Sequence, residues 1–162
     1  MASDTVSTLD PADGDPPATG GVELRHAESA VEIAACFPAM RELRPHLDGA
    51  EELVARLARQ RREGYRLLAA WRGPQAVGLA GYRLQENLIH GRFIYVDDLV
   101  VLPALRGGRV GARLLQAVAA EGRSRGCHRL VLDTALDNVL GHRFYYRNGL
   151  LPRALRFSKP LP

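Results

Sequence analysis

Residues 103–112 read PALRGGRVGA, between an apolar run that ends at Leu102 and a new apolar pattern that begins at Val110. An arginine, two glycines, a second arginine and a third glycine in so short a space suit an anion. The first turn of a helix presents N–H groups with no intrahelical acceptor and a partial positive charge. Glycine lets the backbone close on phosphate oxygens because no Cβ intrudes. Gly107, Gly108 and Gly111 supply room, and Arg106 and Arg109 supply charge. Two better-known phosphate loops do not fit. No Gly-Lys-Ser/Thr closes the turn, and GGRVG lacks the spacing of the dinucleotide fingerprint. A glycine-rich turn that joins strand to helix and binds nothing is the other reading the elbow leaves open.

Two more groups of residues could do chemistry. In 138–150, NVLGHRFYYRNGL, helical spacing puts Asn138, Gly141 and Tyr145 within about 60° of one another. One face then offers an amide, a gap and a phenol. Gly141 costs about 1 kcal/mol against alanine; close approach of a ligand or tight packing on a sheet would each explain it. Tyr145 and Tyr146 also read as half-buried packing residues. In 91–102, GRFIYVDDLVVL, a regular strand puts Phe93, Tyr95, Asp97, Leu99 and Val101 on one face and Asp98 on the other. A bulge would bring Asp98 round.

The elbow resembles motif A of the GCN5-related N-acetyltransferases (GNAT), Arg/Gln-x-x-Gly-x-Gly/Ala. Arg106, Gly107, Gly108, Val110 and Gly111 match, and Arg109 stands where the family has its middle glycine. The second stretch resembles the family's Asn-x-x-Ala-x-x-Phe-Tyr-x-x-x-Gly-Phe helix. Asn138, Phe144, Tyr145 and Gly149 match, with Gly141 for Ala and Leu150 for Phe. The resemblance covers about 22–162. It implies acetyl transfer from acetyl-CoA to a primary amine on a small molecule or peptide, and a homodimer. It implies that the pantetheine arm runs along the backbone of Leu99, Val100 and Val101, with an N–H near Val101 polarising the thioester. The turn from Arg106 to Ala112 would take the pyrophosphate, and Asn138 would also lie at the cofactor.

An alkyl amine is almost wholly protonated at neutral pH, a handicap of roughly 4 kcal/mol, so a base is useful. The resemblance makes Asp97 the first choice and Asp98 the second, acting directly or through water. Either could instead hold a cationic substrate or pair with an arginine. Tyr145 would donate to the departing thiolate. Full proton transfer from a phenol to a thiolate is uphill by about 2 kcal/mol, so the proton follows bond breaking. The family's acceptor site borders the segment after its first helix, here FPAMRELRPHLDG, with Arg41, Arg44 and His46. The turn ENLIHG (86–91) borders it too. His46 and His90 read as exposed loop residues rather than catalysts. The alternatives are an inert acyl-CoA-binding domain, which Arg109 favours, and a basic nucleic-acid-binding module. No nucleic-acid motif supports the latter.

These residues need a mixed α/β sheet. Strands read over 22–27, 65–72, 76–85, 91–102, 128–134 and 153–159. Helices read over 29–43, capped by Ser29 and interrupted by Pro38, and over 50–62, 109–124 and 138–148. A strand–helix–strand unit over 91–134 makes its two strands parallel. Residues 1–21, with three prolines, four Asp and no Lys or Arg, read as a disordered tail, and 22–162 as one domain. The formal net charge is +4. Subtracting the tail's four Asp leaves about +8 for the rest, almost all arginine, which attracts anions. No apolar stretch would span a bilayer. Cys36 and Cys127 sit in apolar settings without metal-ligand spacing and suggest reduced thiols in a cytoplasmic protein. No metal site is expected.

Overall fold

The computed structural model describes residues 21–161. The tail read over 1–21 falls, apart from Gly21, outside the described residues. Five strands lie in chain order across one sheet: β1 (Glu23–His26), β2 (Arg66–Arg72), β3 (Gln75–Asn87), β4 (Gly91–Val101) and β5 (Arg129–Leu132). The first three pairings are antiparallel and β4–β5 is parallel. The mixed sheet therefore forms as its sequence implies. Helices α1 (Ala30–Ala35), α2 (Phe37–Leu43) and α3 (Ala50–Arg61) precede β2. Helix α4 (Val110–Ser124) links β4 to β5, and α5 (Val139–Arg147) follows β5.

The helix read over 29–43 is two helices. Ser29 and Glu32 form the capping box of α1, and Pro38 stands in the first turn of α2, where its missing N–H costs nothing. Alternation in β2 divides the core. Leu67, Ala69 and Trp71 face α1–α3 with Ile33, Met40, Leu53 and Leu57, while Leu68 and Ala70 face α4 with Val77, Val110, Leu114 and Val118. Leu114 is wholly buried. Leu114→Ala is expected to cost about 2–5 kcal/mol, read as a lower midpoint in denaturant melts.

The strand expected over 153–159 does not form. Residues 150–161 hold no regular secondary structure, and Leu155 and Phe157 are exposed. Short apolar alternation is not enough where no neighbouring strand edge is paired. Arg156 instead donates to the Tyr95 hydroxyl at 3.0 Å and pairs with Asp133.

Candidate active site

Strands β4 and β5 pair from Phe93 with Arg129 to Val96 with Leu132. Beyond Val96, β4 continues to Val101, paired among the described residues with β3 alone. One edge of residues 97–101 is thus open. The Leu102 N–H bonds the Val77 carbonyl at 2.9 Å, so by alternation Leu99 and Val101 turn their backbone groups away from β3 and into the gap. Val100, between them, faces β3 with its backbone. The Val101 carbonyl accepts from Arg106 Nε at 3.2 Å.

The gap leads to the elbow. A short 3-10 turn, Pro103–Leu105, precedes Gly107 at φ +87°. Arg109 is the N-cap of α4 at φ 61°, ψ 0°, and no side chain caps that end. It is the single described non-glycine residue with positive φ. The family's glycine at this position has a geometric reason here: the backbone is left-handed, and arginine occupies it at a cost of about 1–2 kcal/mol. The first helical bond runs from the Arg113 N–H to the Arg109 carbonyl. The N–H groups of Val110, Gly111 and Ala112 precede it and point out of the helix end, ready for an anion. Arg109→Gly is expected to raise stability by about 1 kcal/mol in thermal melts.

Helix α5 packs against this turn. A Cβ built on Gly111 would lie 3.4 Å from the Phe144 ring and 3.5 Å from Val101. Tyr145 meets Phe144 edge-on, with ring centroids 5.5 Å apart. Tyr145 is half-buried and burial raises its phenol above the usual value, so it is a protonated donor at neutral pH. Tyr146 is exposed. Asn138 is the N-cap of α5. Its Oδ1 accepts from the Gly141 N–H at 3.0 Å, and its Nδ2 donates to Thr134 Oγ1 at 2.9 Å. A Cβ on Gly141 would fall 2.3 Å from Asn138 Nδ2. As the Asn138 amide is folded back, a Cβ at Gly141 fits only if that side chain moves.

The acidic pair lies on the other face of the sheet from α4. Tyr82 pairs with Val96 and Gly81 with Asp98, so Asp97 is the extra residue of a bulge. The regular-strand face expected for Phe93, Tyr95, Asp97, Leu99 and Val101 is thereby broken. Leu99 and Val101 pack with the α4 side of the core, and Val100 with the α1–α3 side. Both carboxylates end on the α1–α3 side. Asp97 Oδ2 accepts from Arg83 Nε at 3.0 Å. Asp98 Oδ1 accepts from Arg44 Nε at 2.9 Å, and Asp98 Oδ2 accepts from the Tyr65 hydroxyl at 2.8 Å. Arg44 Nη2 also donates to the Asp97 carbonyl at 3.0 Å. Burial raises the Asp97 carboxyl above its ordinary value, against the opposing pull of Arg83. A pocket of about 90 Å³ opens beside Asp98, lined among others by Met40, Arg44, His46, Arg56 and Tyr65.

The elbow, the open edge and α5 therefore meet, and the two acids flank the gap from the opposite face. Tyr65, Arg83 and Gly81 were not singled out by sequence. An isolated glycine in a strand signals close backbone approach, but only the fold names what approaches. Among the described residues no group of His, Cys, Asp and Glu could hold a metal. No described helix is long and apolar enough to cross a membrane.

A family model described as acetyltransferase (GNAT) family matches residues 31–150. The chain belongs to this family. Acetyl-CoA is the family's acyl donor, and the uncapped N–H groups of α4 fit its pyrophosphate. An aminoalkylphosphonate N-acetyltransferase of Salmonella typhimurium is 37% identical over 60% of this chain and 62% of its own length. An aminoglycoside N(6')-acetyltransferase of Stenotrophomonas maltophilia is 32% identical over 70% of this chain and 77% of its own length. The chain thus spans about three-fifths of the first relative. In fold it is similar to an aminoglycoside N-acetyltransferase solved with CoA, with TM-score 0.72, 17% identity and coverage of 87% and 97%. It is also similar in fold to glucosamine-6-phosphate N-acetyltransferase from Arabidopsis thaliana, with TM-score 0.70, 18% identity and coverage of 87% and 99%.

Proposed function

We propose that the protein moves the acetyl group of acetyl-CoA to a primary amine by direct attack. One observation carries the reading: the open edge of β4 runs straight into an uncapped helix N-terminus, against which the tyrosine-bearing α5 is packed. Acetyl-CoA supplies the activated acyl group. The backbone of Leu99 and Val101 orients the arm that carries it, and the Val101 N–H polarises the carbonyl. Gly107, Gly108 and the N–H groups of Val110, Gly111 and Ala112 hold the diphosphate, with Arg106 and Arg109 adding charge. Val100 anchors this edge from the core side. Asn138 serves by fixing the start of α5 rather than by touching the donor.

Asp97 takes the amine proton, directly or through water. Its second carboxylate oxygen has no partner among the described residues, and burial makes it a better base than an ordinary aspartate. Asp98, already engaged by Arg44 and Tyr65, anchors the site. Tyr145 donates to the sulfur as the C–S bond breaks.

Both acids already have cationic partners, and His46 and Arg56 line the adjoining pocket. This balance favours a small amine that also carries an anionic group. Relatives named for aminoalkylphosphonate and glucosamine 6-phosphate support the same class. The acetyl-CoA-dependent stabilisation of the protein, compared with CoA and ATP in thermal melts, tests the donor. Thiol release with amino-phosphonates, amino-phosphates, amino acids and polyamines tests the acceptor. Stabilisation without turnover of any amine would instead favour an inert binding domain, the reading that Arg109 supports. Stabilisation by DNA and not by acetyl-CoA would favour the nucleic-acid reading. A cytoplasmic setting rests on the free, buried Cys36 and Cys127. A homodimer rests on the exposed Leu151, Leu155 and Phe157 near the C-terminal end, and light scattering would test it.

A further inference from the structure

We propose that Tyr65 is the positioning residue of the acidic pair, holding Asp98 through its hydroxyl and Asp97 through the arginine stacked on its ring. The inference rests on the reading of the two acids as the amine side of the site.

Tyr65 immediately precedes β2 and is 2% exposed. Its hydroxyl donates to Asp98 Oδ2 at 2.8 Å. The Arg83 guanidinium lies 5.4 Å from the centre of its ring, and the same guanidinium donates to Asp97 Oδ2 at 3.0 Å. Gln60 Oε1 accepts from Arg83 Nη2 at 3.1 Å, which fixes the guanidinium from α3. A single buried side chain thus touches both arms of the pair. Burial and the nearby Asp98 raise the Tyr65 phenol well above the usual range, so it remains a donor at every working pH.

The strand opposite is shaped to admit it. A Cβ at Gly81 would lie 1.8 Å from the Tyr65 hydroxyl oxygen, 2.5 Å from its Cζ and 2.9 Å from Asp98 Oδ2. No side chain larger than hydrogen leaves the phenol in place there. Gly81 also pairs with Asp98 across the sheet, next to the bulge at Asp97. The missing side chain, the bulge and the tyrosine form one device that turns two adjacent carboxylates to the same face. Around the pair stand Arg44 from the end of α2, Arg83 from β3 and Tyr65, with His46 and Arg56 across the adjoining pocket.

Tyr65→Phe keeps the ring under Arg83 and removes one donor. Loss of a hydrogen bond to a charged group predicts roughly a tenfold fall in kcat/KM for the amine. It also removes a group that favours the ionised pair, so the acid limb of the profile, which belongs to the pair as a whole, moves to higher pH. Stabilisation by acetyl-CoA in thermal melts stays as in the parent. Gly81→Ala, which displaces the phenol, is expected to show the same pH shift with a larger rate loss. Added to Asp98→Asn, Tyr65→Phe should cost little more.

A Tyr65→Phe protein with a lower melting temperature but an unmoved rate and pH profile would overturn the positioning role while Asp98→Asn remained impaired. If Asp97→Asn and Asp98→Asn both matched the parent, the acidic-pair reading itself would fall, and this inference with it. Should Tyr65→Phe not fold, Gly81→Ala carries the same decision on its pH profile.

Discussion

Tyr145→Phe is expected to lower kcat about a hundredfold and to leave acetyl-CoA binding within about twofold. The ring stays, so the edge-on contact with Phe144 and the packing of α5 on Gly111 survive. Only the hydroxyl is lost. The expected effect sits at the low end for acid catalysis because a thiolate is already a fair leaving group. Burial is what raises the phenol. Stopped-flow thiol detection for kcat and calorimetric titration of CoA for binding separate the two quantities. An equal loss in both would mean that Tyr145 is a packing residue of α5.

Asp97→Asn carries the second large effect, about a hundredfold in kcat/KM for the amine at neutral pH. The sign of its pH dependence follows from the base role. A base works when deprotonated, so activity falls as pH falls through the Asp97 titration. Burial raises that titration above the ordinary aspartate range, and the acid limb of the parent lies correspondingly high. In the variant the limb disappears. The rate then climbs with pH as the free amine deprotonates in solution, approaching the parent near pH ~10. A pH–rate profile of both proteins from pH 5 to ~10 checks this. A variant that keeps the parent's limb would move the base to another group.

Much of this site could be read from the chain because its parts are local. An arginine–glycine elbow between two apolar patterns can only be a turn that opens a helix, and α4 begins at Val110 as that pattern requires. Gly149, at φ +78°, closes α5 in the same way. The acidic pair was less legible. Alternation along a regular strand sends Asp97 and Asp98 to opposite faces, and a bulge that depends on the partner strand reverses this. The pairing of Arg83 with Asp97 and of Tyr65 with Asp98 joins residues 14 and 33 positions apart. Nothing in local spacing encodes such contacts. The C-terminal stretch erred the other way: RALRFSK alternates like a strand, yet no strand edge in the described chain receives it. Arg109 was visible as a departure from the motif, but its left-handed backbone needed the fold.

A crystal structure of the protein with a non-hydrolysable acetyl-CoA analogue would show where the donor binds. Diphosphate oxygens are expected within about 3 Å of the Val110, Gly111 and Ala112 nitrogens, and the Tyr145 hydroxyl within hydrogen-bond reach of the sulfur position. A donor bound away from the α4 N-terminus, or a phenol turned away from the sulfur, would contradict the proposed reaction.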